Sequence, residues 1–505
     1  MAESYIKRIL DARVYDVARE TPVDEALLLS SRFDNRIWLK REDLQPVFSF
    51  KLRGAYNKLN RLPPEQRERG VIAASAGNHA QGLAMAAQRL GVTAIIVMPR
   101  TTPAIKVDAV RRRGAQVVLE GDSFDEAAAR AQQLVQERGL TYVPPFDDPD
   151  IIAGQGTVGM EIVRQHQEPL DAVFVPVGGG GLLAGVAAYI RYVWPQTRIV
   201  GVEPEDAACL KAALERGRRV TLPEVGLFAD GCAVAQVGKE TFRVIRDTVD
   251  EVITASTDEM CAAIKDIFED TRSIAEPAGA LALAGLKKYV EREQVSGRQL
   301  LAILSGANTN FDRLRYISER TEIGEQREAV FSVTIPERPG AFRAFCSALG
   351  RRNITEFNYR YSGPEEARVF VGLSVEPGGA DRLAVIRDLE GRGYPCEDLT
   401  DNEMAKLHIR YMVGGRAPGA VSTETVFRGE CPGRPGALSR LLSGLGERWN
   451  IPLFHYRNHG AAFGRILVGM QVPRGERRAL REKLQSIGYR FSDESDNRAY
   501  QLYLG

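Results

Sequence analysis

Short, continuous apolar runs alternate with alanine-rich helical stretches from the N-terminus to about residue 320, and few folds accept that pattern. Gly70-Val71-Ile72-Ala73-Ala74 precedes a helix expected over residues 80–90, and Thr93-Ala94-Ile95-Ile96-Val97-Met98 follows it. A helical stretch with Ile105, Val107 and Val110 leads to Ala115-Gln116-Val117-Val118-Leu119. Further on, Ala172-Val173-Phe174-Val175-Pro176-Val177 and Ile199-Val200-Gly201-Val202 flank another helix. A strand that is apolar throughout has no face to offer water, so it is covered on both sides. Helices between such strands are crossovers, and crossovers join parallel strands. The pattern predicts an α/β fold.

After about residue 325 the texture changes and a duplication appears. Glu337-Arg338-Pro339-Gly340-Ala341 returns as Gly433-Arg434-Pro435-Gly436-Ala437. Arg368-Val369-Phe370-Val371-Gly372-Leu373 returns as Arg465-Ile466-Leu467-Val468-Gly469-Met470, and Gly393-Tyr394 with Asp401-Asn402 returns as Gly488-Tyr489 with Asp496-Asn497. The offsets agree to within two residues, so a whole module was copied. Each copy reads as strand, R-P-G-A turn, helix, strand, strand, helix, strand. Proline fixes φ at the turn, glycine frees it, and the helix starts at once. Two copies are too few for a solenoid; they suit a paired binding module with helices on one face of an antiparallel sheet. The expected divisions are 1–325, 326–402, a joining stretch at 403–423, and 424–505.

The charges nearly cancel, 67 basic against 66 acidic for a net +1, which disfavours nucleic acid or an anionic membrane as the main partner. No apolar run approaches the roughly 18–20 residues of a bilayer span. Met1-Ala2-Glu3-Ser4-Tyr5 carries an early acid and lacks the apolar core of a secretion signal. Six scattered cysteines form no C-x-x-C pair, so neither a metal knuckle nor a disulfide framework is expected. The expectation is a reduced, cytoplasmic enzyme.

Four elements of the first half carry chemistry. Ser49-Phe50-Lys51-Leu52-Arg53-Gly54-Ala55 sets a lysine just before a helical stretch, between two apolar residues that could desolvate its amine. Taken alone, Lys51 reads equally as a surface lysine. Ser75-Ala76-Gly77-Asn78-His79-Ala80-Gln81-Gly82 follows a strand, and its side chains and free N–H groups could hold a carboxylate. A plain strand-to-helix turn is the bland alternative, with His79 packing locally. In Val177-Gly178-Gly179-Gly180-Gly181-Leu182 four successive glycines are entropically costly, and they make sense where N–H groups must converge on a phosphate. This is not G-x-G-x-x-G, so a lone phosphate group is favoured over a dinucleotide. Leu304-Ser305-Gly306-Ala307-Asn308 puts a serine at a strand's C-terminal end, as a ligand contact or a helix cap.

Together and in this order, the four elements resemble the pyridoxal phosphate dehydratases of the tryptophan synthase β-like fold. With the duplicated tail, the chain resembles the long, regulated, threonine-deaminating branch of that family. The resemblance implies two open α/β subdomains followed by two α+β ACT-like regulatory domains. It implies pyridoxal 5'-phosphate as cofactor, with Lys51 as Schiff-base lysine and Cα base beside Phe50. Gly178, Gly179, Gly180, Gly181 and Leu182 would cradle the phosphate, Asn78 would bond the ring hydroxyl, and Ser305 would meet the pyridine nitrogen. Ser75, Ala76, Gly77, Asn78 and His79 would receive the substrate carboxylate. The implied reaction takes L-threonine, or L-serine, to a 2-oxoacid and ammonium, the opening step of isoleucine synthesis. Isoleucine would inhibit and valine modulate, in a homotetramer. The rivals are a serine-preferring dehydratase or racemase of the same fold, and a catalytically inactive amino-acid-binding regulator.

Three details of the resemblance stay open. Related serine racemases bind a divalent metal through a stretch like Glu203-Pro204-Glu205-Asp206-Ala207-Ala208-Cys209, but Cys209 replaces an expected acid, so no metal is carried over. Glu276 in Ala275-Glu276-Pro277-Ala278-Gly279 matches a family motif, as a helix-end carboxylate or as a substrate contact. Tyr359 and Tyr456, at equivalent places in the two copies, are effector contacts or packing residues.

Overall fold

The computed structural model describes residues 2–311, 313–350, 352–361, 365–402, 404–405, 409–412, 424–432, 437–445, 448–457, 463–487, 491–497, 500 and 504. The chain forms two compact units, Met1–Gly324 and Glu325–Gly505.

Ten strands build the first unit: β1 (Val23–Glu25), β2 (Arg36–Arg41), β3 (Val71–Ala74), β4 (Ala94–Met98), β5 (Gln116–Leu119), β6 (Thr141–Tyr142), β7 (Ala172–Pro176), β8 (Arg198–Pro204), β9 (Glu251–Ala255) and β10 (Gln299–Leu304). They form two sheets, the smaller in the order β5-β4-β3-β6 and the larger in the order β1-β2-β10-β7-β8-β9. Every pairing is parallel except that of β1 with β2, as the apolar runs require. β3, β4 and β7 are buried at every residue. β5 departs from that expectation: as an edge strand it leaves Gln116 and Leu119 exposed.

Two helices fix the cleft between these sheets. The Lys51–Arg61 helix ends where Pro63 forces Leu62 into an extended conformation at ψ 140°. The Asn78–Leu90 helix ends on Gly91, whose φ of +66° closes the last turn. Both pack in one core with β3 and β4 through Leu52, Ala55, Tyr56, Leu83 and Ala84.

The second unit continues with β11 (Glu328–Pro336), β12 (Ile354–Arg360), β13 (Glu366–Ser374), β14 (Cys396–Asp398), β15 (Glu424–Pro432), β16 (Leu453–Arg457), β17 (Phe463–Gln471) and β18 (Phe491–Asp493). Each copy has the strand and helix order read from the sequence. The two copies share one eight-stranded sheet, β14-β11-β13-β12-β16-β17-β15-β18, joined through the antiparallel pair β12–β16. Asn358 pairs with His455, and on either side Phe357 pairs with Tyr456 and Tyr359 with Phe454. Since residues 357 and 454, like 359 and 456, are equivalent in the repeat, a pseudo-twofold axis passes through the Asn358–His455 pair. One apolar core runs across the join through Phe331, Phe345, Phe357, Phe427, Leu441 and Phe454. The second R-P-G turn (433–436), the second Gly-Tyr pair (488 and 489) and residues 413–423 of the joining stretch lie outside the described residues. Among the described residues no helix is long and apolar enough to cross a membrane.

Candidate active site

Lys51 is the first residue of its helix and hangs from the C-terminal end of β10. Ser49 bridges to Gly306, and the Ala307 N–H donates to the Phe48 carbonyl at 2.9 Å. The amine donates to the Pro145 carbonyl at 3.1 Å and lies 5.3 Å from the centre of the Phe50 ring. Burial pushes it down to about 8 from its ordinary 10.5, only partly opposed by attraction to Cys232 and Glu276. An amine so placed is neutral far more often near neutral pH than a surface lysine, and the neutral amine is the nucleophile.

The rest of the S-F-K-L-R-G-A motif holds that amine still. Arg53 is fully buried and donates to Glu42 at 2.8 Å and to Glu161 at 2.5 Å. Lys40, also fully buried, reaches Glu161 at 2.7 Å, so two cations meet two carboxylates. Gly54 lets the helix touch the Pro149–Gln165 helix: a β-carbon on it would lie 2.5 Å from Gln155 Nε2. Lys51, Arg53 and Gly54 of one short motif thus face the cleft, the ion cluster and the neighbouring helix.

Opposite Lys51, the glycine loop follows β7 and opens the Gly181–Val193 helix. Gly180 has φ +90°, where a β-carbon is strained. A β-carbon on Gly179 would overlap the Phe146 ring, and one on Gly181 would lie 3.1 Å from Phe146 Cβ. The Gly179 carbonyl accepts from Thr241 Oγ1 at 2.7 Å, which fixes the loop. Free N–H groups at a helix start make an anion site. Phe50, Lys51, Asn78, Gly178 to Leu182, Glu276 and Ser305 line one cleft, together with Phe146, Pro176, Gly231, Cys232 and Ala278.

Asn78 opens its helix, donating to Glu276 Oε1 at 2.5 Å and accepting from Asn308 Nδ2 at 2.7 Å. Glu276 is 3% exposed, and burial, reinforced by Asp230, pushes its carboxyl up to about 7. Ser305 Oγ is buried, 3.3 Å from the Ala278 carbonyl. Ser75 accepts the Gly77 N–H at 3.3 Å, and no atom crowds the place of a β-carbon on Gly77. Ser75, Ala76, Gly77 and His79 stand at the helix start but are not among the cleft-lining residues. His79 turns away: its Nε2 lies 2.9 Å from the Val143 carbonyl, and burial beside Lys51 holds it near 4. Phe146 and Cys232 were not anticipated. Phe146 follows the paired prolines Pro144-Pro145, a mark of a built loop; Cys232 had no sequence signal.

Glu203 accepts the N–H groups of Leu210 and Lys211 at 2.8 and 2.9 Å, capping a short helix. In the second unit Tyr359 is buried against Phe342, with ring centres 4.7 Å apart, and hydrogen-bonded to Glu337; Tyr456 is buried in the same core.

Lys51 and the glycine loop share one cleft between two mainly parallel sheets, and residues 14–306 match the family described as "Pyridoxal-phosphate dependent enzyme", so the class is that of a pyridoxal-phosphate-dependent enzyme. Residues 319–409 and 415–504 each match the "C-terminal regulatory domain of Threonine dehydratase". The chain is 54% identical to L-threonine dehydratase biosynthetic IlvA of Burkholderia multivorans, over 100% of this chain and 99% of that protein. It is 53% identical to the Escherichia coli protein of that name, over 99% and 97%. Among solved structures, the processed form of threonine deaminase isoform 2 from Solanum lycopersicum is 50% identical with a TM-score of 0.62, covering 63% of this chain and 93% of that one. The chain therefore belongs to the biosynthetic threonine dehydratase family.

Proposed function

We propose that this chain removes the β-hydroxyl and the amino group of L-threonine, giving 2-oxobutanoate and ammonium, with Lys51 as its catalytic residue. The observation that carries the reading is the half-buried Lys51 amine, held by the Pro145 carbonyl with no carboxylate partner among the described residues, in one cleft with the glycine loop. Pyridoxal 5'-phosphate, when bound, supplies an electron sink that acidifies the substrate's Cα–H and releases its β-hydroxyl. The cleft suits that group: a glycine-rich helix start, the Lys51 amine and the buried Ser305 hydroxyl all line it.

Lys51 holds the cofactor and then moves the Cα proton. Gly178 to Leu182 bind the phosphate through backbone N–H groups at the helix start. Phe50 and Phe146 shield the site from water. Asn78 donates to the ring hydroxyl. Ser305 would meet the ring nitrogen with a hydroxyl rather than a carboxylate, and a hydroxyl there would make the bound group a weaker electron sink. The Ser75 hydroxyl and the segment from Ala76 through Gly77 and Asn78 to His79, at the start of a helix, take the substrate carboxylate.

Residues 1–325 are the catalytic domain, and 326–402 and 424–505, joined by 403–423, are the effector modules. Isoleucine inhibits through these modules and valine opposes it, with Tyr359 and Tyr456 beside the effectors. The protein works as a cytoplasmic homotetramer; among the described residues Cys209, Cys232, Cys261, Cys346 and Cys396 carry free thiols, which suits a reducing compartment. The test is 2-oxoacid formation from threonine and serine, with and without isoleucine. Turnover of threonine that isoleucine suppresses supports the whole reading. Turnover of serine alone, or none, overturns the substrate assignment.

A further inference from the structure

The amide of Asn78 is oriented by a chain of donors that starts at a main-chain carbonyl. Asn308 Nδ2 donates to the Val47 carbonyl and to Asn78 Oδ1, each at 2.7 Å. A carbonyl only accepts, so the Asn308 amide is fixed with its NH2 toward Val47, and both its N–H groups are spent. Asn78 must then present its oxygen to Asn308 and its NH2 to the other side. One of those N–H groups goes to Glu276 Oε1 at 2.5 Å, and the other has no partner among the described residues, at the wall of the cleft. Glu276 is itself immobile: its N–H donates to the Gly306 carbonyl at 3.1 Å, and a β-carbon on Gly306 would overlap its carboxylate. The S-G-A-N loop and the Ala275-Glu276-Pro277-Ala278-Gly279 stretch therefore grip one side chain from opposite ends.

We infer that Asn308 is a positioning residue, which locks the Asn78 amide with its second N–H turned into the cleft as a donor to an anionic ring oxygen. This rests on the cofactor reading above. Asn308 touches neither reacting atom nor substrate; it acts through Asn78. Its other bond holds the Val47 carbonyl just before Phe48, which has the left-handed φ of +55°, so the same amide steadies the turn that delivers Lys51.

The experiment is a double-mutant cycle on the holoenzyme with Asn78→Ala, Asn308→Asp, Asn308→Ala and the combined variants. An aspartate at 308 cannot donate, so it reverses the demand on Asn78 and turns its carbonyl toward the cleft. The readouts are the pH midpoint of the bound cofactor's absorbance change and the separate kcat and KM for threonine. N308D should raise the midpoint by about one pH unit and lower kcat about tenfold with KM nearly unchanged, the size expected for losing one hydrogen bond to a charged group. In the N78A background N308D should add less than about twofold, because its effect runs through Asn78. Equal losses in both backgrounds overturn the inference and leave Asn308 a structural residue. If N308D loses its thermal midpoint, N308A, which removes both donors without adding charge, is read in the same cycle by the same criterion. Wild-type protein with no cofactor absorbance would defeat the underlying reading, whereas a normal wild type with additive losses defeats this inference alone.

Discussion

The ring of Phe146 occupies the place where a β-carbon on Gly179 would stand. The glycine loop is thus pressed by an aromatic side chain of the cleft wall, and its bareness is a packing requirement as well as a conformational one. Gly179→Ala should weaken cofactor affinity at least about tenfold while leaving the fold intact, the scale of an overpacking cost of about 1–3 kcal/mol. Phe146→Ala in the same chain should recover part of that loss by making room. Equilibrium dialysis with absorbance detection measures both; unchanged affinity in Gly179→Ala would contradict the packing argument.

The depressed Lys51 amine gives a kinetic signature. Cofactor-free protein should take up pyridoxal phosphate at a rate that rises with pH to a midpoint near 8, because only the neutral amine attacks. Stopped-flow absorbance reads this directly. A rate still climbing toward the ordinary 10.5 would mean that the amine is solvated.

Glu276 makes a prediction about stability. Its carboxyl is raised from 4.5 to about 7, so between those values the native state binds the proton more tightly than the unfolded chain. Stability from this group is complete below 4.5 and lost as pH rises through 7. The thermal midpoint of cofactor-free Glu276→Gln, measured relative to wild type, should therefore climb between pH 5 and pH 8. The full swing is about 3 kcal/mol at most. A difference that stays flat with pH would show that Glu276 is ionised in the native protein throughout.

Arg53 holds two buried carboxylates, Glu42 and Glu161, and with Lys40 completes a neutral set of four charges. Arg53→Met leaves those carboxylates with one cation and should cost about 3–5 kcal/mol by urea unfolding. Arg53→Lys should recover little, since one ammonium cannot reproduce the guanidinium's fork. A loss below about 1 kcal/mol in Arg53→Met would mean that the cluster does not anchor the Lys51 helix.

The parallel sheets were legible because β3, β4 and β7 are apolar at every position, a pattern with few other uses. Lys51 and Gly178 to Gly181 stood out in the sequence because costly residue types stood together in order, and the fold brings them to one cleft. The duplication showed two modules, but not that β12 and β16 would pair edge to edge, because pairing between similar strands leaves no periodic mark. Phe146 and Cys232 come from connecting segments far from Lys51 in sequence, and only the fold brings them to the cleft. His79 was ambiguous in sequence; what turned it inward was the Val143 carbonyl, a main-chain atom that residue types do not reveal. The grip of Asn308 on Asn78 was hidden for the same reason, since it begins at the Val47 carbonyl.

The central claim, that Lys51 carries the cofactor, is tested most directly by borohydride reduction of the holoenzyme followed by peptide mass mapping. The account predicts a single cofactor-bearing peptide with the modification on Lys51, and no modified peptide from Lys51→Ala. A cofactor mapped to any other lysine, or retained undiminished on Lys51→Ala, would contradict it.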